Sequence, residues 1–198
     1  MRILHFSDAH IGVENYSRTD PDTGLSTRLV DFLSTLDEVV SYAVDTGVDL
    51  VLFCGDAYKS RDPSQTHQRE FAKRIARLSS EGIPVFLLMG NHDMPQITSR
   101  ATALEIFRVL DVPNVYTADT LGTHRISTAD GPVQIVALPW IRRSAFLTRD
   151  ETRGLTPEQV NESIQHSLTQ LIRVQVESLN ESVPALFAGH ASISQAKT

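Results

Sequence analysis

Apolar residues recur along this chain in two patterns. Short continuous runs mark buried strands, and apolar residues returning every three or four positions mark helix faces. Residues 2–6 read as a short strand and 7–12 as the loop after it. Residues 27–46 form the first predicted helix, with Leu29, Leu33, Leu36, Val40 and Ala43 on one face and Gly47 closing it. Residues 49–54 make a second strand, 67–80 a helix with Phe71, Ile75 and Leu78 inward, and 84–89 a third strand. Residues 99–110 read as a helix, and 112–116, 121–127 and 133–138 as shorter strands, the last two joined by a turn at Ala129, Asp130 and Gly131. Thr156, Pro157 and Gln159 open a long helix over 156–179, with a capping box and an expected buried face of Val160, Ile164, Leu168, Leu171 and Val174. A buried strand over 184–188 ends at Gly189 and His190, and 19–26 is a polar loop long enough to be mobile.

The alternation of strand and helix predicts an α/β fold, a sheet with helices on both faces. In such sheets ligands bind beyond the C-terminal ends of the strands. The polar residues of this chain gather there. Asp8 and His10 follow the first strand, Gly55 and Asp56 the second, Gly90, Asn91, His92 and Asp93 the third, and His190 the last.

These residue types suit hydrolysis of a phosphodiester, in which an oxygen nucleophile attacks an anion. Two metal ions about 3.5–4 Å apart can neutralise the phosphate and acidify a water between them. Asp56 is the natural bridging carboxylate, Asp8 and His10 can hold one ion, and Asn91 and His190 the other. Mixed oxygen and imidazole ligands suit Mn²⁺, Fe²⁺ or Zn²⁺ better than Ca²⁺. His92 can donate a proton to the leaving oxygen, and Asp93 can orient it or cap the next segment. Gly55 and Gly90 allow sharp turns and close approach. His5, His67, His124 and His166 read as packed or solvated, and Trp140 as a core or rim residue.

Composition bounds this picture. The chain has 198 residues, 41% hydrophobic and 21% charged, which suits one domain with its own core. No apolar run reaches membrane-spanning length, so a cytoplasmic protein is expected, and the single Cys54 fits a reducing compartment. The net charge of −6 weighs against strong DNA binding. Clustered carboxylates for metals account for part of it, and Arg69, Lys73, Arg74 and Arg77 concentrate positive charge on one helix.

Asp8-Ala-His10, Gly55-Asp56 and Gly90-Asn91-His92-Asp93, each behind an apolar strand, resemble the first three motifs of the calcineurin-like phosphoesterases. The stretch from Ile3 to Gly12 is similar, more specifically, to the opening of the SbcD and Mre11 nucleases. The resemblance implies a calcineurin-like metallophosphoesterase fold of layered sheets flanked by helices. It also implies two divalent metal ions, Mn²⁺ foremost, held by Asp8, His10, Asp56, Asn91 and His190, with His92 as the catalytic histidine. The implied function is a DNA exonuclease and endonuclease in double-strand break repair, with DNA and an SMC-like ATPase of the SbcC/Rad50 type as partners. A homodimer through the helices over 67–80 and 99–110 is implied too.

The family's closing Gly-His-x-His motif is absent, and the chain stops eight residues after His190. Residues 1–198 are therefore expected to be one nuclease domain incomplete at its C-terminus, truncated before its last strands and with activity of its own in question. Two other functions stay open: a phosphodiesterase or phosphatase on a small substrate, and a non-catalytic scaffold that dimerises and docks a DNA end.

Overall fold

A computed structural model describes residues 1–95, 100–142 and 154–192. Four parallel strands, β1 (Ile3–Phe6), β2 (Leu50–Phe53), β3 (Val85–Leu88) and β4 (Val115–Ala118), lie in chain order in one sheet. Helices α1 (Thr27–Thr46), α2 (Gln65–Ser80) and the short α3 (Glu105–Val109) are the crossovers between them. A second sheet holds β5 (Gly122–Thr128), β6 (Gly131–Leu138) and β7 (Ala185–Gly189), with β5 antiparallel and β7 parallel to β6. Helix α4 (Pro157–Glu177) connects β6 to β7.

The alternating side chains of β2 and β3 show how the layers stack. Val51, Phe53, Val85 and Leu87 pack with Leu29, Leu33, Leu36 and Val40 of α1 and with Phe71 and Ile75 of α2. Leu50, Leu52, Phe86 and Leu88 point the other way and pack on Ile126, Val133, Ile135 and Ala137 of the second sheet. Helices therefore cover one face of the first sheet and strands the other, not helices on both faces. Strands β2 and β3 are apolar at every position because both faces are dry.

The helix ends follow local chemistry. Ser26 accepts the N–H of Leu29 to start α1, and Gly47 ends it in the left-handed conformation. Ser64 caps α2, so that helix begins two residues earlier than the apolar spacing predicts. Thr156 and Gln159 form the expected capping box of α4. The predicted helix over 99–110 shrinks to Glu105–Val109, its first residue lying outside the described residues. Strand β4 starts at Val115, three residues later than the expected start at 112.

Two expectations of burial fail. Helix α4 has no buried residue, and Leu171 and Val174 are exposed at 45% and 58%. The helix lies on the outer face of the second sheet, where Thr123 Oγ1 bonds Gln175 Oε1 at 2.9 Å, and only one side of it meets protein. Strand β7 is an edge strand, and only Ala188 of it is buried. The polar loop over 19–26 is pinned: Asp20 accepts the backbone N–H and hydroxyl of Thr23, and Asp20 N–H donates to Leu25 O at 2.7 Å. Among the described residues no helix is long and apolar enough to cross a membrane.

Candidate metal centre

The parallel register sets Phe6 beside Phe53 and Phe53 beside Leu87, so three strands end on one edge. The loops leaving that edge are stitched together. Asp8 N–H donates to Gly55 O at 2.9 Å, and His10 N–H to Asp56 O at 3.0 Å. The second sheet reaches the same edge, because Trp140 N–H donates to Met89 O and His190 N–H to Leu138 O, each at 2.9 Å. His190 thereby arrives from a different sheet.

Asp8, His10 and Asp56 all take positive φ, at 57°, 44° and 61°. Such angles are uncommon for residues with side chains and mark loops whose shape is imposed by their surroundings. The two glycines are sterically required. A Cβ on Gly55 would lie 2.7 Å from the backbone of Gly90 and from His190 Nδ1. One on Gly90 would lie 2.1 Å from Asp56 Oδ1.

Asp56 is the buried centre, 2% exposed. His10 Nε2 lies 3.7 Å from its Oδ2 and 3.5 Å from Asp8 Oδ1. His190 Nε2 is 3.7 Å from Asp56 Oδ2 and 3.2 Å from Asn91 Oδ1. Two triads result, His10–Asp56–His92 and Asp8–Asp56–His190, each with donor atoms within 4.8 Å of one another. They share Asp56. Asp8 is thus within reach of His190 as well as of His10, a wider reach than its pairing with His10 alone.

The donor set fits divalent metals. The Asp56–imidazole separations are too long for hydrogen bonds. They are near the separation of two ligands on one ion, since bonds of about 2.0–2.2 Å at tetrahedral angles hold donors about 3.5 Å apart. His190 Nδ1 contacts Cys54 O at 2.7 Å. A carbonyl only accepts, so Nδ1 carries the proton and the Nε2 lone pair faces the carboxylates, the usual arrangement of a ligating histidine. His10 presents Nε2 to both carboxylates, and its Nδ1 is buried without a hydrogen-bond partner among the described residues.

His92 is held in the same way. Its N–H donates to Asp56 Oδ1 at 2.8 Å, and its Nδ1 meets Lys59 O at 2.7 Å, which leaves Nε2 available. Its ring lies edge-on to that of His10, centroids 4.9 Å apart. This position suits either a third ligand beside His10 and Asp56 or a proton donor.

Among the described residues Asp93 makes no hydrogen bond to the His92 ring, and the segment it was expected to cap lies partly outside them. Asp93 is buried, and its carboxyl accepts the N–H groups of Asp56 at 2.7 Å, Ala57 at 3.0 Å and Gly90 at 2.9 Å. Burial raises its pKa, and the three N–H donors oppose that shift. Its place in the run after β3 was visible in the sequence; its partners 36 and 37 residues away were not. Trp140, read as a core or rim residue, is half-buried with its ring 6.3 Å from that of His190. His67 is not solvated but paired with Glu14.

Relatives carry names consistent with this chemistry. The chain is 32% identical over 93 residues to the DNA double-strand break repair protein Mre11 of Thermoplasma acidophilum, covering 47% of this chain and 23% of that one. It is 35% identical over 98 residues to the Mre11 of Methanosarcina acetivorans, covering 50% and 15%. It is 31% identical over 105 residues to the SbcD component of the SbcCD nuclease of Bacillus subtilis, covering 52% and 25%. The matched stretch is thus a quarter or less of each relative's length. The calcineurin-like phosphoesterase pattern matches residues 1–190, which takes in every loop that builds the centre, and the chain belongs to that family.

Proposed function

We propose that this chain is the catalytic part of a metal-dependent DNA nuclease acting in double-strand break repair. The observation that carries the reading is the pair of triads sharing buried Asp56. In this reading Asp56, with Asp8 and His10 on one side and Asn91 and His190 on the other, would hold two divalent ions, Mn²⁺ foremost. Bound there, the ions would offset phosphate charge and acidify a water. His92 Nε2 donates a proton to the leaving oxygen from the doubly protonated ring, while Lys59 O accepts the Nδ1 proton and orients the imidazole. The names of the relatives support DNA as substrate and a partner subunit. An SMC-like ATPase of the SbcC/Rad50 type as that partner, a homodimer and a cytoplasmic setting belong to the same proposal.

The test is Mn²⁺-dependent degradation of an end-labelled linear duplex by the full-length protein and its His92→Ala variant. Cleavage lost in the variant with metal binding retained supports the reading. Hydrolysis of bis(p-nitrophenyl) phosphate without any duplex cleavage, with or without the ATPase and ATP, would move the assignment to a small-substrate phosphodiesterase.

A further inference from the structure

Most of the positive charge that the sequence concentrates on α2 is paired in the fold. On α2, Arg69, Lys73 and Arg74 all converge on buried Glu70, with N–O distances of 2.8–3.0 Å, and Arg74 also reaches Asp37 at 2.6 Å. Three of the four cations on α2 are thus drawn onto carboxylates, while Arg77 donates to Ser41 Oγ at 3.2 Å. Beside the metal centre the balance differs. A cleft of about 570 Å³ is lined by Lys59, Arg61, Asp62, His92, Pro95 and Arg100, among others. It holds three cations and one carboxylate, Asp62, which lies 3.6 Å from Arg100 and is itself 80% exposed. Lys59 and Arg61 have no carboxylate partner among the described residues. An excess of cations on a chain of net charge −6 needs a reason.

We propose that Lys59, Arg61 and Arg100 form a subsite for the sugar-phosphate backbone of a DNA strand, next to the point where the scissile phosphate would sit. The inference deepens the nuclease reading and rests on it. Three contacts join the cleft to the centre. His92 forms part of its wall, Lys59 O holds His92 Nδ1 at 2.7 Å, and Arg61 Nε donates to Asn91 O at 3.0 Å. A single phosphoester would fill the metal centre and leave the cleft empty. A strand would carry further phosphates past His92 into it. The cations therefore select a polyanionic chain, and the contacts are to phosphates, which carry no sequence information. Arg61 also positions Asn91, so its replacement would disturb both functions. Lys59 and Arg100 are exposed and can be changed without disturbing the core.

The experiment measures binding of a fluorescent single-stranded oligothymidylate by anisotropy over a NaCl series, in Ca²⁺ buffer, with the full-length protein. The variants are Lys59→Gln, Arg100→Gln and the double, with Lys73→Gln as a control on α2. Each single variant is expected to reduce the slope of log K against log salt by about 0.7, the double by about twice that, and Lys73→Gln by nothing measurable. Unchanged slopes for Lys59→Gln and Arg100→Gln, an equal loss for Lys73→Gln, or no salt-dependent binding by the unmodified protein would each overturn the subsite. Hydrolysis of bis(p-nitrophenyl) phosphate with Mn²⁺ is read in parallel. Its absence, together with absent DNA cleavage, would count against the nuclease reading even where the slopes move as expected.

Discussion

Asp93 Oδ2 accepts the backbone N–H of Asp56 at 2.7 Å, across 37 residues of chain. With its bonds to Ala57 and Gly90, this carboxyl clamps two loops of the metal centre to each other. Asp93→Asn turns one acceptor into a donor facing an N–H. Losing a hydrogen bond to a buried charged group costs about 1.5–3 kcal/mol. For a chain of this size the melting temperature should fall by roughly 3–12 °C. Thermal denaturation measures it, and a variant as stable as the parent would remove Asp93 from the clamp.

Gly90→Ala places a methyl where the gap to Asp56 Oδ1 is 2.1 Å. The loop must shift, at a cost of about 1–3 kcal/mol or more. Asp56 must move with it, so Mn²⁺ binding measured by isothermal calorimetry should weaken at least tenfold. Retained affinity would mean that Asp56 is not central to the site.

Metal should stabilise the fold, because the proposed ligands come from three strand ends of one sheet and one of the other. At 100 times its dissociation constant, Mn²⁺ adds about 2.7 kcal/mol. Differential scanning calorimetry should show the gain with Mn²⁺ and its reversal with EDTA. Equal melting temperatures in both would count against a metal centre.

His92→Ala separates proton donor from ligand. As a proton donor, His92 contributes about 10²–10⁴ to the rate for a poor leaving group. A p-nitrophenolate leaves readily without a proton, so the loss on bis(p-nitrophenyl) phosphate should be much smaller than on DNA. Equal losses on both, with weaker Mn²⁺ binding, would make His92 a ligand.

Glu70 ties the acid limb of stability to α2. Burial raises its pKa, but hydrogen bonds from Lys73, Arg69 and Arg74 outweigh that and hold it below its ordinary 4.5. A carboxylate with a lower pKa folded than unfolded favours the fold above the unfolded value, and the gain disappears as pH falls through the folded one. Stability should therefore decline below about pH 4.5, and Glu70→Gln should flatten that decline. Urea denaturation across pH 3–7 reads both.

The motif residues and their order after the strands were legible in the sequence, because a buried parallel strand is a local signal and the residue after it is fixed by counting. The apolar faces of α1 and α2 were legible for the same reason: Leu29, Leu33, Leu36, Phe71 and Ile75 repeat at helical spacing and are buried. The face of α4 was misread, since Leu171 and Val174 repeat just as regularly yet lie exposed. Periodicity says which side of a helix is apolar, not whether another layer covers it.

What the sequence determined by itself was the set of strands, the helix ends at Gly47 and Thr156, and Asp8, His10, Asp56, Asn91, His92 and His190 as a candidate group. The tertiary structure decided which of them meet. It brought His190 from the second sheet to Asp56 through the Leu138 and Met89 carbonyls, and gave Asp93 its three N–H donors. It also drew Arg69, Lys73 and Arg74 of α2 onto Glu70 while leaving the cations around Arg61 in excess. Local spacing encodes secondary structure because neighbouring residues share one backbone. Charge pairing and ligand geometry depend on atoms far apart in the chain, and only the packing of the sheets sets those distances.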